Sequence, residues 1–274
     1  MHRRSIVTVI SSLGVCAAIA ATAAPLASAG GGVVQGRLLK TSAREVLPTH
    51  GGTATSLNWS GYAVTPGSGI TGVSSTFTVP SAGLVPPGFS ATWAGIGGYT
   101  GSDLIQAGVS ENSALGGLIS GGQYGAWYEI LPASETPLTN CSGNTACTVK
   151  PGDVVSVTIT QASAGQWDVS LKDPAEGWTF DKTIAYASSG SSAEWIYEAP
   201  TVLLQTIPAA TGTTHFGPTS TYTDATGTHP IAAGNPTMID MGPGVGINEA
   251  TPSALASDGE SFNVCAYAQT CAAP

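Results

Sequence analysis

The chain has 274 residues, of which only 9% are charged, against roughly a quarter in an ordinary soluble domain. No basic patch is present to neutralise a phosphate backbone, so a nucleic-acid partner is excluded. Thirty-six glycines and 18 prolines exclude coiled coils and long helical bundles, while an apolar share of 42% suffices for a core.

The amino terminus reads as an address. Met1 to Arg4 is basic, residues 5–25 are mostly Val, Ile, Leu and Ala, and Ala27-Ser28-Ala29 has the small-residue pattern of a cleavage site. Residues 1–29 are therefore expected to be a secretory signal peptide, not a membrane anchor. No later run reaches 18 apolar residues, so no membrane partner is expected after cleavage, and the mature protein is expected outside the cell. Arg37, Lys40 and Arg44 then mark a basic, Gly-rich segment, residues 30–54, that reads as a linker or a propeptide. Residues 55–274 form the remaining domain. From Thr53 onward there are three lysines against sixteen carboxylates and no arginine, a formal charge of −13.

That imbalance suits acid. An ordinary domain at pH 3 protonates its carboxylates and strains under a large positive charge, whereas this one would carry about +6. Its stability cannot lean on ion pairs, so Ser, Thr, Asn, Gln and backbone hydrogen bonds must replace them, and these do not titrate. The competing reading is an acidic secreted domain that works at neutral pH.

In chain order, short alternating or apolar runs predict strands over 73–79, 91–96, 103–109, 123–131, 154–160, 166–172, 179–186, 193–198, 213–222 and 261–268. Val154 to Thr160 shows the pattern best, with Val155, Val157 and Ile159 on one face and hydroxyls on the other. Around ten strands, no amphipathic helix of useful length after residue 50, and no internal repeat predict one all-β domain, a sandwich or a closed barrel. Four cysteines follow the leader, as Cys141/Cys147 and Cys265/Cys271. Of three connectivities, two local loops are the simplest, and the spacing does not suit a zinc site. No metal and no cofactor are expected.

Several common sites are missing: there is no HExxH, no P-loop, no GxSxG elbow and no strand–GxGxxG–helix unit. Gly242 to Gly246 has no helix to open and reads as a turn. A Ser-His-Asp triad would need His215 or His229, and in acid an imidazole is protonated and useless as a base. Chemistry then falls to carboxyl groups. Gln106 in the run 104–108, Glu129 beside Trp127 and Leu131, and Glu194 and Glu198 in the run 193–198 all sit within predicted strands. Burying such a group is costly without a partner. Taken singly, each also reads as a side chain on the wet face of an open sheet.

Six motifs occur in one order: Asn58-Trp59-Ser60-Gly61-Tyr62, Phe77-Thr78-Val79-Pro80, Trp93-Ala94-Gly95-Ile96-Gly97-Gly98, Leu104-Ile105-Gln106-Ala107-Gly108, Ala126-Trp127-Tyr128-Glu129 and Ala193-Glu194-Trp195-Ile196-Tyr197-Glu198. The ordered set, from about Trp59 to Ala268, resembles the glutamic peptidases of the eqolisin family. The resemblance implies a β-sandwich of two large antiparallel sheets, a zymogen secreted into acid, and a pepstatin-insensitive endopeptidase acting on protein or peptide substrates. It implies a catalytic Gln/Glu dyad, which falls on Gln106 and Glu194. Trp93 matches an aromatic lining the family's cleft, and Trp127 with Glu129 matches a supporting strand, so that Glu129 binds substrate or supports the dyad and is not the base. Fungal members carry acids where Gly97, Ser110 and Gly125 stand here, which leaves the pH optimum open. Segment 30–54 then reads as a propeptide able to inhibit the enzyme, its cations lying over an acidic cleft. A monomer is expected.

Two other readings remain. A secreted β-sandwich glycoside hydrolase would use Glu129 and Glu194 as its pair of carboxylates. A sugar-binding module without catalysis would need neither Gln106 nor Glu194.

Overall fold

The structure is a computed structural model that describes residues 46–50, 53–67, 69–113, 123–202, 204–242 and 248–274. Residues 1–29, expected to be a signal peptide, the basic residues Arg37, Lys40 and Arg44, and residues 243–246 of the run read as a turn lie outside the described residues. The described residues belong to one compact unit, Val34–Pro274. They contain twenty strands, one short 3-10 turn at Ile231–Gly234 and no α-helix.

Two layers are built on one core. The inner layer runs, in spatial order, β8 (Thr136–Pro137), β7 (Gln123–Ile130), β6 (Leu104–Asn112), β5 (Ala91–Gly97), β12 (Ala193–Glu198), β3 (Trp59–Val64), β18 (Thr237–Met241), β2 (Thr53–Ser56) and β1 (Val46–His50). All of these pairings are antiparallel except β2 with β18, which is parallel. The outer layer runs β11 (Trp178–Ala185), β10 (Gln166–Asp173), β9 (Val154–Ser163) and β4 (Gly72–Thr78). The free edge of β4 is shared by β15 (Thr213–Phe216) and β16 (Thr221–Asp224). From β15 the ladder continues through β20 (Phe262–Ala266) and β19 (Ala250–Pro252), and the pair Ala250–Met241 joins it to β18. Strands β13 (Thr201–Val202) and β14 (Leu204–Gln205) form a two-stranded sheet of their own. The expected all-β sandwich is therefore present.

Strand chemistry explains the layering. On the outer layer, β4 and β9 alternate: Val73, Ser75 and Phe77, with Val155, Val157 and Ile159, face inward and are buried. Their intervening Ser and Thr face out. On the inner layer, β3, β5, β6 and β12 are buried on both faces. One face packs into the shared core through Val64, Ile96, Ile105, Ala107, Val109, Trp195 and Tyr197. The other carries a smaller cluster of Trp59, Ala63, Trp93, Leu104, Trp127 and Ile196. Charges and polar groups on that second face are thus not on an open wet sheet.

Both cysteine pairs close locally, Cys141–Cys147 and Cys265–Cys271, each with Cα atoms 5.5 Å apart. The predicted run 213–222 is two strands, broken at Gly217-Pro218, where proline cannot donate to a ladder and Thr219 takes a φ of 81°. Within the segment read as a propeptide, β1 and half of β2 are strands paired to the domain.

Candidate active site

Register decides what meets on the second face of the inner layer. Directly opposed residues of neighbouring strands point to the same side. Glu194 on β12 opposes Gly95 on β5, Gly95 opposes Gln106 on β6, and Gln106 opposes Glu129 on β7. One row across four strands therefore carries Glu194, a glycine, Gln106 and Glu129. Continued the other way, it passes through Ala63 on β3 and Thr237 on β18.

Gly95 makes the row a site. Glu194 and Gln106 are two strands apart, roughly 9.5 Å between Cα atoms at ordinary strand spacing. Because the residue between them has no side chain, no β-carbon stands between the two, which leaves a gap in the row. A Cβ on Gly95 would lie 3.0 Å from Cβ of Gln106 and 3.0 Å from Cζ3 of Trp93. The benzo end of the Trp93 indole thus borders the gap.

Gln106, Glu129 and Glu194 are all fully buried. The Gln106 Nε2 donates to Glu129 Oε2 at 2.6 Å, so the amide is oriented by its neighbour on β7. The Glu129 charge also acts on Glu135, which follows β7. Burial, with the Glu129 charge adding to it, pushes the Glu135 carboxyl up to about 8. Behind the row, on the core face of β6, Glu111 is wholly buried opposite Tyr124, and burial raises its carboxyl well above the usual range.

The next row holds Ile196, Trp93, Gly108 and Trp127 in register. The row beyond holds Glu198, Ala91, Ser110 and Gly125. Glu198 is fully buried and accepts hydrogen bonds from Trp93 Nε1 at 2.8 Å and Asn58 Nδ2 at 3.3 Å. Trp59 meets Trp93 edge-on, ring centroids 4.9 Å apart. Ser110 and Gly125 are register partners on this face, and Gly97 lies one alternation beyond Gly95.

Sequence reasoning placed Trp93, Gln106, Trp127, Glu129 and Glu194, and all five share this face. It noted Glu198 without giving it a role, and it gave Asn58 none. The motif Asn58-Trp59-Ser60 had the form of a glycosylation sequon, but Asn58 is fully buried and turned toward Glu198. Only the strand pairing, 140 residues away in sequence, reveals that. His215 and His229 lie on β15 and on β17 (Gly227–Pro230), away from the strands that carry the row. His215 pairs with Asn263, and His229 with Thr226 and Asp224. Among the described residues no group of three or more His, Cys, Asp or Glu is placed to hold a metal ion, and no helix is long and apolar enough to cross a membrane.

The sequence model of the Peptidase A4 family matches residues 57–261. Several solved structures share the fold. A scytalido-glutamic peptidase bound to a transition-state-analogue inhibitor is 20% identical, with a TM-score of 0.61 over 77% of this chain and 98% of that one. SCP-B, an eqolisin-family peptidase in complex with the tripeptide Ala-Ile-His, is 18% identical, with a TM-score of 0.57 over 77% and 98% of the two chains. The aspergilloglutamic peptidase from Aspergillus niger is 21% identical, with a TM-score of 0.54 over 65% and 99%. At these identities the likeness is one of fold. No curated protein sequence is a significant match.

Proposed function

The chain belongs to the Peptidase A4 family, the eqolisin-type glutamic peptidases, and from that footing we propose a secreted, acid-active endopeptidase whose dyad is Gln106 and Glu194. The observation that carries the reading is the row Glu194–Gly95–Gln106, an acid and an amide facing across a gap opened by a missing side chain.

A water held in that gap would give a proton to the Glu194 carboxylate while its oxygen attacks the carbonyl carbon of a peptide bond. The carbonyl π electrons move onto oxygen. One Gln106 N–H is directed to Glu129, and the second would donate to the developing oxyanion. The amide cannot ionise, so this donor persists at any pH. The tetrahedral intermediate then collapses: the C–N bond breaks, and Glu194 returns its proton to the leaving nitrogen, releasing a carboxylic acid and an amine. Trp59 and Trp127, each with a buried indole N–H lacking a partner among the described residues, offer further donors to a peptide lying along the site face.

Acid operation is supported by the domain's lack of cations and by buried carboxyls that favour the neutral form at Glu111 and Glu135. Glutamate, with an ordinary pKa near 4.3, still works as a base in mild acid. Residues 1–29 serve export, and residues 30–54 act as a propeptide that inhibits until acid weakens its contacts. The mature protein acts as a monomer on protein or peptide substrates and is insensitive to pepstatin.

The test is to incubate purified mature protein with denatured casein, and separately with xylan or glucan, at pH 2 to 6 with and without pepstatin. Glu194→Gln and Gln106→Ala are run alongside. Casein cleavage that survives pepstatin and is lost in both variants supports the reading. Cleaved glucan with intact casein would replace it with a glycosidase.

A further inference from the structure

The Trp93 indole lies lengthwise between two rows of the site face. Its Nε1 end reaches the Glu198 row, and its Cζ3 end reaches Gly95 in the gap between Glu194 and Gln106. Where this ring lies sets the width of the gap and one wall of the space a water would occupy. We propose that Glu198, backed by Asn58, is a positioning residue that holds Trp93 as the fixed wall of the gap between Glu194 and Gln106. This rests on the dyad reading above.

The anchoring can be followed atom by atom. Ser56 Oγ donates to Asn58 Oδ1 at 3.0 Å and accepts the backbone N–H groups of Asn58 and Trp59 at 3.3 and 3.1 Å. The Asn58 carbonyl accepts Ala199 N–H at 2.8 Å, which ties it to the end of the strand that carries both Glu194 and Glu198. With its Oδ1 engaged by Ser56, Asn58 presents Nδ2 to Glu198 Oε1, and Oε2 accepts the Trp93 N–H. An N–H to carboxylate bond in a buried setting is strong and directional. If Trp93 turned about its Cβ–Cγ bond, the indole N–H would lose this acceptor and become a buried unpaired donor. Trp59, packed edge-on, closes the other side. The ring is thus fixed by an acid that stands four residues beyond Glu194 on the same face and is not itself beside the reacting atoms.

The polarity of the relay supplies a specific test. Glu198→Gln leaves one acceptor and one donor where two acceptors stood, so either Trp93 or Asn58 loses its bond. Adding Asn58→Asp restores a complete set. The introduced carboxylate can still accept from Ser56 and can also accept from the introduced amide, whose oxygen then turns to the Trp93 N–H. On a peptide substrate at pH 4, Glu198→Gln should lower kcat about 10- to 100-fold, the scale of a misplaced reacting geometry, with KM within about twofold. Trp93→Phe, which keeps a ring but removes the N–H, should lose a similar factor. The Glu198→Gln/Trp93→Phe pair should be no worse than its poorer member. Glu198→Gln/Asn58→Asp should recover to within about threefold of the parent, which general damage to the fold would not do.

Multiplying losses in the first pair, or a second pair no better than Glu198→Gln alone, overturns the proposal. If Glu198→Gln does not fold, Trp93→Phe decides the matter: unchanged kcat, or a loss confined to KM, overturns it. The dyad is checked separately. An active Glu194→Gln sinks the dyad reading itself, whereas an inactive Glu194→Gln beside a fully active Glu198→Gln sinks only the positioning role.

Discussion

Replacing Glu135 by Gln should make the protein more resistant to neutral and alkaline pH without changing its stability in acid. The side chain is only 8% exposed, and its carboxyl is pushed from 4.5 up to about 8, first by burial and then by the charge of Glu129. The folded chain therefore binds this proton more tightly than the unfolded chain. The stabilisation is fully present below about pH 4.5, falls by about 1.4 kcal/mol per pH unit above it, and is gone once pH passes the folded value near 8. Over that window the loss is on the order of 5 kcal/mol at most, since water entry and local relaxation relieve part of the cost of a buried charge. Glu135→Gln keeps the size and a polar terminus but cannot ionise. For a domain of this length 1 kcal/mol moves Tm by roughly 2–4 °C. The two melting curves should coincide at pH 4 and separate by up to about 10–20 °C in favour of the variant by pH 8. Calorimetry or circular dichroism at half-unit pH steps reads this directly. Curves that stay superimposed from pH 4 to 8 would refute the claim that burial holds Glu135 neutral.

Glu111→Gln should act in the same direction. Burial raises that carboxyl, and among the described residues no lysine, arginine or histidine is paired with it, so the variant should gain Tm over the parent as pH rises and match it in acid. Gly95→Ala should fold with a Tm loss of a few degrees, because the added Cβ meets Ile105 O at 3.1 Å as well as Gln106 and Trp93. Its peptidase activity should fall at least about tenfold, since the methyl group sits in the gap; full activity on casein at pH 4 would disprove the need for that gap. Gly61→Ala should fail to accumulate as folded protein, because Gly61 has a φ of 144° and a Cβ there would lie 2.1 Å from Trp195 O on β12. Soluble yield and near-ultraviolet circular dichroism measure this. Replacing Cys141 and Cys147 together by Ala should cost about 2 kcal/mol in a melt while leaving kcat at 25 °C unchanged, since the loop of six residues' separation lies off the site face.

How much of this could be read in the chain depended on which residues report locally. Val155, Val157 and Ile159 alternate with hydroxyls because only one face of the outer layer is buried, so β9 was visible in its own sequence, whereas β12, buried on both faces, was bounded at 193–198 by its aromatic run between Ser192 and Pro200. Trp59–Val64 and Thr237–Met241 were not seen as strands. The first contains a glycine in a backbone conformation that other residues rarely adopt, and both are set by partners distant in sequence: Gly61 opposes Ile196 and Ile239. The run from 213 to 222 looked continuous because its β-branched and aromatic residues outweighed the break at Gly217-Pro218. The site showed the same split. Glu194 and Gln106 stood out as polar residues in apolar runs, but Gly95, the residue that lets them face each other, carries no chemical signal of its own. Its role is a matter of register alone.

The same scarcity of cations shapes both the site and its surroundings. With three lysines after Thr53, ion pairs are scarce, and the described residues give Glu129 and Glu198 neutral donors: an amide from Gln106 to the first, and an indole from Trp93 and an amide from Asn58 to the second. Those donors are uncharged and do not titrate, so the hydrogen bonds they make need no cation. Where burial outweighs a neutral donor, as at Glu111 beside the Thr92 hydroxyl, the uncharged carboxyl is favoured, which ties stability to the proton concentration. Donors that do not titrate and buried carboxyls that favour their protonated form are therefore one design: the stability that depends on Glu111 and Glu135 is fullest in acid, the condition proposed above for a Glu194 base.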